Sequence, residues 1–314
     1  MSYFKRPLRI GTRGSPLALV QANYIRDQLS TSCAELSELG TIDIVPIQTS
    51  GDRVQDKTLN TLGGKGLFTK EIDSALHSSD VDIAVHSMKD MPTVVPAGLV
   101  IGCVLPRQDP RDALITRTGE SYLNLPDNAV IGTASLRRRA QALAVRPDME
   151  IVPLRGNVDT RLAKLKAGLI DATFLAVAGL KRLGRTEVIT QVLSADDMVP
   201  AVAQGAIAVT CRSLDDRILE TLHPLNHSDT EFAVTAERAF LRRLDGSCQT
   251  PIAALAEVGD GGLLKLSGLL AAPDGARLVR GSQSGRASLA GQVGDTLAER
   301  LLAEAGPDFL AGTG

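Results

Sequence analysis

The chain has 314 residues, so a rough guide of about 150 residues per domain gives two domains, or three. Hydrophobic residues make up 44% and charged residues 22%, ordinary globular values that exclude wholesale disorder. Aromatic residues make up 3%, Trp is absent and the net charge is −2. These values argue against a base-stacking platform and against a chain that binds polyanions over its whole surface.

Strands and helices alternate in the first third of the chain. We predict strands at residues 8–11, 42–47, 82–85 and 99–105, a helix capped by Ser15 with Pro16 at its first position, and a helix with apolar positions between residues 67 and 76. The polar, glycine-bearing segment 49–66 is predicted to be a mobile loop. This order indicates βαβ units in a parallel or mixed sheet.

A second α/β set follows the polar segment 106–112, which is predicted to cross between lobes. We predict strands at residues 129–132, 151–154 and 172–177, and helices after Ser135 and at about 158–167. A second crossing is predicted at residues 198–201, and a strand at 206–211 follows it. The pattern then changes to a long helix at 231–244, strands near 252–258, 263–270 and 276–280, and a helix near 295–305.

The predicted fold class is therefore α/β, with two similar lobes, a cleft between them and a small C-terminal α+β domain. The predicted domains are residues 1–105 with 202–223, residues 106–201, and residues 224–314.

The cysteines and histidines do not indicate a metal site. Four cysteines without a C-x-x-C pair argue against a zinc knuckle or a disulfide framework and indicate a reducing compartment. His223 and His227 have i,i+4 spacing, but the proline between them argues against a metal-binding helix face. The N-terminus lacks the apolar region of a secretory signal, and no run of 18 apolar residues occurs. We expect a cytoplasmic protein that does not bind a membrane.

Positive charge is concentrated between Ile131 and Arg185, which holds eleven basic and four acidic residues. That segment has a net charge of +7, which leaves −9 for the remainder. Arg137, Arg138 and Arg155 follow predicted strands, where open α/β sheets bind ligands, and guanidinium groups pair well with carboxylates. We expect Arg137 and Arg155 to line a wet cleft and to contribute little to thermal stability. A solvated helix face better explains Arg139, Arg146, Lys164 and Lys166.

Three further residues have open interpretations at this point. Asp90 follows a buried strand and is either a cleft acid or a capping or salt-bridged residue. Asp52 is either a cleft acid or, more in keeping with Gly51 before it, a turn residue. Cys248 is either an accessible reactive thiol or an ordinary loop thiol.

The segments together resemble the porphobilinogen deaminase family. The matching stretches are RIGTRGSPLAL (9–19), GGKGLF (63–68), DIAVHSMKDMP (82–92), DPRDA (109–113), GTASLRR (132–138), LRGNVDTRL (154–162), LAVAGLKRLG (175–184), QGA (204–206) and GSCQTP (246–251). They occur in order across about 80% of the chain, which makes a chance match implausible.

The resemblance implies two lobes similar to periplasmic binding proteins, plus a small third domain. It implies that four porphobilinogen molecules are polymerised to hydroxymethylbilane, with loss of one ammonia at each step. It also implies a dipyrromethane cofactor, made from substrate and attached through a thioether to Cys248. We expect a monomer with no nucleic-acid partner.

The resemblance also assigns roles to individual residues. Catalytic roles fall to Asp90, Arg13, Lys89 and Arg182, with the Asp90 carboxylate stabilising the positive azafulvene that ammonia leaves behind. Cofactor binding falls to Cys248, Ser135, Arg137, Arg138, Arg155, Lys89 and Asp90. The residues expected to bind substrate carboxylates are Arg13, Ser15, Arg155 and Arg161. A lid includes Asp52, Lys65 and Phe68.

Three positions depart from the family pattern. Ser50 stands where a basic residue is common, and Ala203 and Ser247 stand where glycine is common. An alternative from another class is a non-catalytic bilobal protein that binds small anions, which would explain the arginines but not an accessible Cys248. A nucleic-acid binder is a distant third, because most of the chain is acidic.

Overall fold

The computed structural model describes residues 6–53, 66–246, 250–306 and 309. The strands are β1 (Leu8–Arg13), β2 (Ile42–Ile47), β3 (Ile83–Ser87), β4 (Leu99–Val104), β5 (Asp112–Thr116), β6 (Val130–Gly132), β7 (Glu150–Val152), β8 (Ala172–Ala176), β9 (Gln191–Val192), β10 (Ile207–Arg212), β11 (Ile252–Val258), β12 (Leu263–Ala271) and β13 (Leu278–Arg286). The α-helices are α1 (Pro16–Ser32), α2 (Ser50–Arg53), α3 (Lys70–His77), α4 (Leu136–Val145), α5 (Val158–Lys166), α6 (Val177–Arg182), α7 (Asp216–Leu222), α8 (Ser228–Arg243) and α9 (Ala290–Ala305).

The described strands form three sheets. Their orders are β2-β1-β3-β10-β4 for the first, β7-β6-β8-β5-β9 for the second and β11-β12-β13 for the third. The predicted fold class, two α/β lobes and a small C-terminal α+β region, is confirmed. Each of the three predicted domains holds one sheet.

By compactness the chain divides into two units. The first unit is Met1–Arg107 with Ala206–Glu231, and the second is Gln108–Gly205 with Phe232–Gly314. The C-terminal sheet therefore groups with the second lobe, and the division into three domains stays a prediction.

The first and second sheets have the same internal arrangement. In the first sheet, β1 is parallel to β2 and β3, while β10 is antiparallel to both β3 and β4. In the second sheet, β6 is parallel to β7 and β8, while β5 is antiparallel to both β8 and β9. The carboxyl ends of the parallel strands in each sheet therefore share an edge with the start of one antiparallel strand.

Apolar periodicity explains how the helices cover these sheets. Helix α1 buries Ala18, Ala22, Ile25 and Leu29, which recur at helical spacing, against the core under the first sheet. Phe174 of β8 lies in the core of the second sheet with 1% of its surface exposed. Burying a side chain of this size contributes roughly 1.5–3 kcal/mol.

Local capping signals in the sequence are confirmed. Ser15 caps α1 with Pro16 at its first position, and Ser135 caps α4 through its side chain. No helix in the described part of the chain is long and apolar enough to cross a membrane.

Two predicted loops contain regular structure. Residues 50–53, placed in the mobile loop at 49–66, form helix α2, and residues 54–65 of that loop lie outside the described residues. The polar crossing at 106–112 ends in strand β5, because Asp112 begins a run whose next three residues are buried and apolar.

Candidate active site

Asp90 lies just beyond the buried strand β3. The strand ends at Ser87, and a 3₁₀ turn, Met88–Asp90, follows. Met88 is 2% exposed and its N–H donates to the carbonyl of Ala206, which fixes the turn against the sheet. The Asp90 side chain is 35% exposed, so its carboxylate is held in place and remains open to a ligand.

Arg13, the last residue of β1, links Asp90 to Asp52. Nη1 of Arg13 lies 3.7 Å from Oδ2 of Asp90, and Nη2 lies 2.5 Å from Oδ1 of Asp52. Its Cζ lies 4.2 Å from the centre of the Phe68 ring, a cation–π contact. These three charged side chains, here named the Arg13 cluster (Arg13, Asp52 and Asp90), are 24% to 35% exposed and carry a formal net charge of −1.

Hydrogen bonds stabilise the charged form of Asp52. Burial alone would raise the pKa of Asp52, but hydrogen bonds from Arg13 and Thr49 outweigh that effect and lower the pKa below its ordinary value. The turn interpretation of this residue therefore leaves out its main contact. Asp52 anchors the guanidinium that reaches Asp90.

Ser50, a departure from the family pattern, is bonded within the first unit. Its N–H donates to Oε1 of Glu71 at 2.9 Å, and its hydroxyl donates to the same oxygen. The N–H of Gly51 also donates to the carbonyl of Leu67 at 2.9 Å. These bonds tie both described ends of the predicted lid together, while Lys65 lies outside the described residues.

Ser15 and Lys89 lie near these residues in the chain. Oγ of Ser15 accepts a hydrogen bond from the N–H of Ala18 at 3.3 Å, so the hydroxyl caps α1. Lys89 is half-buried in the turn that carries Asp90. Cys248 lies outside the described residues, and its role stays a prediction.

In the second unit, the first turn of α4 carries Arg137 and Arg138. Their side chains are only 5% and 7% exposed. Nη1 of Arg137 donates to the carbonyl of Val199 at 2.7 Å, and Nη1 of Arg138 donates to the carbonyl of Phe174 at 2.7 Å. Oγ of Ser135 accepts from the N–H of Arg138 at 3.4 Å, which fixes the start of the helix.

Both guanidinium groups meet at Asp112, the fully buried first residue of β5. Oδ2 of Asp112 lies 2.7 Å from Nη1 of Arg137, and Oδ1 lies 2.7 Å from Nη2 of Arg138. Burial alone would raise the pKa of Asp112, but the two guanidinium groups lower it below its ordinary value. These three side chains, here named the Asp112 cluster (Asp112, Arg137 and Arg138), carry a formal net charge of +1.

The expected exposure of Arg137 is wrong. The sequence predicts that Arg137 lines a wet cleft, whereas it is buried beside Arg138, because Asp112 and two carbonyls draw both side chains inward. Their expected role as carboxylate ligands is a separate question and stays a prediction.

Arg155 differs from the other arginines with a predicted role in its lack of a described partner. It lies just beyond β7, is half-buried, and has no hydrogen-bond or ion-pair partner among the residues that the structure describes. Nε of Arg161 donates to the carbonyl of Gly156 at 2.9 Å, and Nη2 of Arg182 donates to the carbonyl of Gly205 at 2.6 Å. Arg155 is therefore free to bind an anion.

Sequence reasoning missed two polar residues of the second unit. Asp112 stands in the matching segment DPRDA and Gln204 in QGA, yet neither received a role. Nε2 of Gln204 donates to Oδ1 of Asp112 at 3.0 Å and to the carbonyl of Pro110 at 2.7 Å. The apolar residues that follow Asp112 were the available signal, because they indicate that a buried strand begins there.

Ala203, a second departure, has a backbone that favours glycine. Its φ is +58°, and a side chain in this region costs roughly 1–2 kcal/mol. Its N–H donates to Oε2 of the buried Glu237 at 2.6 Å, which helps to hold this conformation. The third departure, Ser247, lies outside the described residues.

Comparison with family models decides the family. The model described as porphobilinogen deaminase, dipyromethane cofactor binding domain, matches residues 8–220, and the porphobilinogen deaminase C-terminal domain matches residues 231–303. The chain belongs to the porphobilinogen deaminase family. The resemblance predicted from nine short segments is thereby confirmed.

Relatives match over nearly the whole chain. The chloroplastic porphobilinogen deaminase of Oryza sativa is 52% identical over 304 residues, covering 96% of this chain and 85% of the relative. The porphobilinogen deaminase of Paracoccus denitrificans is 51% identical over 305 residues, covering 97% and 96%. A periplasmic binding protein of Salmonella typhimurium matches 70% of this chain and 91% of its own at 14% identity, with a TM-score of 0.39.

The donor set of the second unit fits the family's dipyrromethane cofactor. Such a group carries an acetate and a propionate on each of its two pyrrole rings, so it needs cationic N–H donors. Arg155 has no partner among the described residues, and the Asp112 cluster has one positive charge in excess. These residues match a group that bears several carboxylates.

Proposed function

We propose that this chain carries out the family's reaction with Asp90 as the charge-stabilising carboxylate. The reaction joins four porphobilinogen molecules head to tail into hydroxymethylbilane, with release of ammonia, in tetrapyrrole biosynthesis. The observation that carries the residue assignment is the exposed Asp90 carboxylate at the end of a buried strand, within a cluster of net negative charge.

A fixed carboxylate suits the step that releases ammonia. The aminomethyl group of porphobilinogen leaves in its protonated form: the bond between its carbon and nitrogen breaks, the electron pair leaves with nitrogen as ammonia, and the pyrrole ring becomes positive. A negative group already in place stabilises that charge without reorganisation. Met88 fixes the turn and Arg13 orients the carboxylate, so Asp90 meets this requirement.

Arg13 has a positioning role in this proposal. Its guanidinium is shared between Asp52 and Asp90 and is stacked on Phe68, so its direction is set from three sides. A charged group held in one orientation loses less entropy when a ligand binds. Arg13 therefore keeps Asp90 in one position, and its remaining N–H groups can bind a substrate carboxylate.

The arginines of the second unit would bind the acetate and propionate groups. The Arg155 guanidinium has no partner among the described residues, and Ser135 and Arg137 lie at the start of α4, where a helix favours anions. Lys89, Arg138, Arg161 and Arg182 keep the family roles as predictions. When bound, the dipyrromethane cofactor supplies the primer that is extended, and Cys248 would hold it through a thioether.

The intact mass of the purified protein tests this proposal most directly. A covalent dipyrromethane adds about 420 Da, whereas a non-catalytic binding protein would carry no such addition. We expect the added mass together with ammonia release from porphobilinogen. A purified protein with neither the added mass nor ammonia release would contradict the proposal.

Replacing the attachment residue sharpens the same experiment. Cys248→Ser should lack the normal adduct and the activity, because a hydroxyl is a far poorer nucleophile than a thiolate. Cys33→Ser is the matched control, since Cys33 is a free, half-buried thiol in the first unit, and it should keep both. A fully active Cys248→Ser protein without an adduct would rule out this attachment.

The proposal also includes the compartment and the assembly state. We propose a cytoplasmic monomer, supported by the free thiols of Cys33, Cys103 and Cys211, which suit a reducing compartment. The names of two plant relatives include "chloroplastic", so the compartment varies within the family. Light scattering on a sizing column should give the mass of one chain, and the mass of a dimer would contradict this part.

A further inference from the structure

We propose that Asp112 is a positioning residue that orients the Arg137 guanidinium group for carboxylate recognition, with Arg138 and Gln204 holding Asp112 in place. This inference rests on the proposed function, because it assumes that Arg137 binds a carboxylate of the cofactor or substrate. Asp112 itself touches neither ligand in this proposal, since it is fully buried.

The two oxygens of Asp112 have different partners. Oδ2 faces Nη1 of Arg137 at 2.7 Å. Oδ1 accepts from Nη2 of Arg138 at 2.7 Å, from Nε of Arg138 at 3.2 Å and from Nε2 of Gln204 at 3.0 Å. The carboxylate thus fixes the Arg138 guanidinium plane through two hydrogen bonds, and it holds Nη1 of Arg137 by an ion pair that lacks hydrogen-bond geometry.

Backbone carbonyls complete this orientation. Nη1 of Arg137 also donates to Val199, and Nη1 of Arg138 donates to Phe174. Nε and Nη2 of Arg137 have no acceptor among the described residues. Neither nitrogen is among the fully buried polar atoms that lack a hydrogen bond. Asp112 therefore occupies one edge of Arg137 and leaves the Nε–Nη2 edge, the one that forms two parallel bonds with a carboxylate, for a ligand.

The charge of the cluster points to an anionic partner. Two guanidinium groups share one carboxylate, so one positive charge remains without compensation in a buried setting. Burial lowers the pKa of Arg137, and repulsion from Arg138 acts in the same direction against the attraction of Asp112. The negative charge of a bound carboxylate would offset both effects.

Folding stability alone does not explain this arrangement. Buried ion pairs are often no more stabilising than apolar residues of similar volume, because desolvation offsets the attraction between the charges. A cluster with one excess charge is less favourable still. An advantage in ligand recognition accounts for the arrangement where stability does not.

The decisive variant is Asp112→Asn, which keeps the shape and removes the charge. We expect a minor fraction of the protein to carry the covalent adduct, because misplaced arginines capture the cofactor poorly. In the loaded fraction, KM for porphobilinogen should rise roughly 10- to 100-fold while kcat stays within about threefold, as expected when binding geometry is lost.

Asp82→Asn is the matched control. Asp82 is 8% exposed and lies within 4 Å of guanidinium nitrogens from Arg6, Arg9 and Arg212, but it precedes β3 at the end opposite Asp90. This variant should lose stability and keep both a complete adduct and the parent KM. A raised KM and a reduced adduct fraction in both variants would mean that neutralising any buried carboxylate has this effect. That result would overturn the proposal.

Gln204→Met keeps the proposal testable if Asp112→Asn does not fold. It removes one donor to Oδ1 without removing charge, so KM should rise about 3- to 10-fold with kcat unchanged. An unchanged KM would overturn the positioning role. If the parent protein itself lacks adduct and ammonia release, the proposed function fails; if the parent has both and a folded Asp112→Asn variant matches it, only this inference fails.

Discussion

The first and second sheets have the same strand arrangement, yet their charged clusters differ in sign and in depth. The Arg13 cluster carries two carboxylates and one guanidinium, with side chains 24% to 35% exposed. The Asp112 cluster carries two guanidinium groups and one carboxylate, with side chains 0% to 7% exposed. One architecture therefore supports an open anionic site in one lobe and a closed cationic site in the other.

The difference originates at one position of the sheet. In the second sheet, Asp112 opens the antiparallel strand β5 and lies opposite Ala176, the last residue of β8. In the first sheet, Ile207 opens β10 and lies opposite Ser87, the last residue of β3. The apolar Ile207 offers no partner to a charged side chain, so the charged residues of the first lobe lie beyond the strand ends. The Asp112 carboxylate instead draws arginine side chains inward. The exposed carboxylate can act on a substrate, while the buried one can act only through its neighbours.

The largest expected effect is at Asp90, because the open cluster should carry the chemistry. Asp90→Asn keeps the shape and removes the charge, so single-turnover ammonia release should slow at least ~100-fold, as for other preorganised electrostatic groups. Asp90→Glu keeps the charge but displaces it, so it should retain more activity than Asp90→Asn. Both variants should melt close to the parent, because the side chain is one-third exposed.

Asp27→Asn serves as a control for the loss of an exposed carboxylate in the same unit, and it should keep the parent rate. Adduct content is checked by mass before each rate is measured. Parent-like ammonia release from a fully loaded Asp90→Asn protein would mean that Asp90 is a structural residue, and the contrast between the clusters would lose its functional meaning.

Arginine variants of the second unit should separate stability from binding. Arg137→Ala breaks a buried ion pair and should lower the free energy of unfolding by about 3 kcal/mol or more. Arg155→Ala removes a half-buried side chain without a described partner, so stability should change little. It should instead raise KM about 10- to 100-fold, the value of a lost charge-assisted hydrogen bond.

Arg139→Ala is the matched control, because Arg139 follows Arg138 on the same helix and is exposed. Neither denaturant unfolding nor KM should change in that variant. Parent-like stability of Arg137→Ala would show that the closed cluster is not as tightly coupled as its distances indicate. A large stability loss in Arg155→Ala would reverse the assignment of that residue.

The smallest expected effect is a pH dependence of stability in the first lobe. Burial lowers the pKa of His86 to about 4, and the Arg13 guanidinium acts in the same direction. The unfolded ring titrates near 6.5, so below that pH the unfolded state binds a proton that the folded state does not. The free energy of unfolding should therefore decrease as the pH is lowered. This residue contributes a loss of about 2 kcal/mol between pH 7 and pH 5.

Urea unfolding of the parent and of His86→Gln at both pH values measures this contribution. The glutamine can keep a hydrogen bond to Oγ1 of Thr210, which lies 3.1 Å from Nε2 of the histidine. The variant should show a smaller loss than the parent, while His223→Gln, at an exposed position, should not. Equal losses in the parent and His86→Gln would show that other groups cause the pH dependence.

Local chemistry was enough to predict much of the fold. The side chains of Ser15 and Ser135 cap the helices that they precede, and β2 occupies the expected residues 42–47. These features depend on neighbours within a few residues. The family resemblance also depends on short segments in a fixed order, and it predicted the function.

Long-range contacts explain what the sequence did not show. Strand β5 was missed because Asp112 ends a polar segment, and its pairing partners β8 and β9 lie far along the chain. The burial of Arg137 depends on Asp112 and on the carbonyl of Val199, neither of which is near it in sequence. The distribution of charge along the sequence predicts a cluster of arginines in the second lobe. Only the folded structure determines which of these arginines are exposed to solvent.

The order of strands in the first sheet has a consequence for synthesis. Strands β3 and β4 are successive in sequence, yet in the sheet β10 lies between them. All strands of the second sheet come from residues 112–192, before β10 at residues 207–212 has been made. A nascent chain can therefore complete its second sheet while the first still has unpaired edges on β3 and β4. A chain that terminates between β9 and β10 leaves both apolar edges exposed, which makes such fragments prone to aggregate.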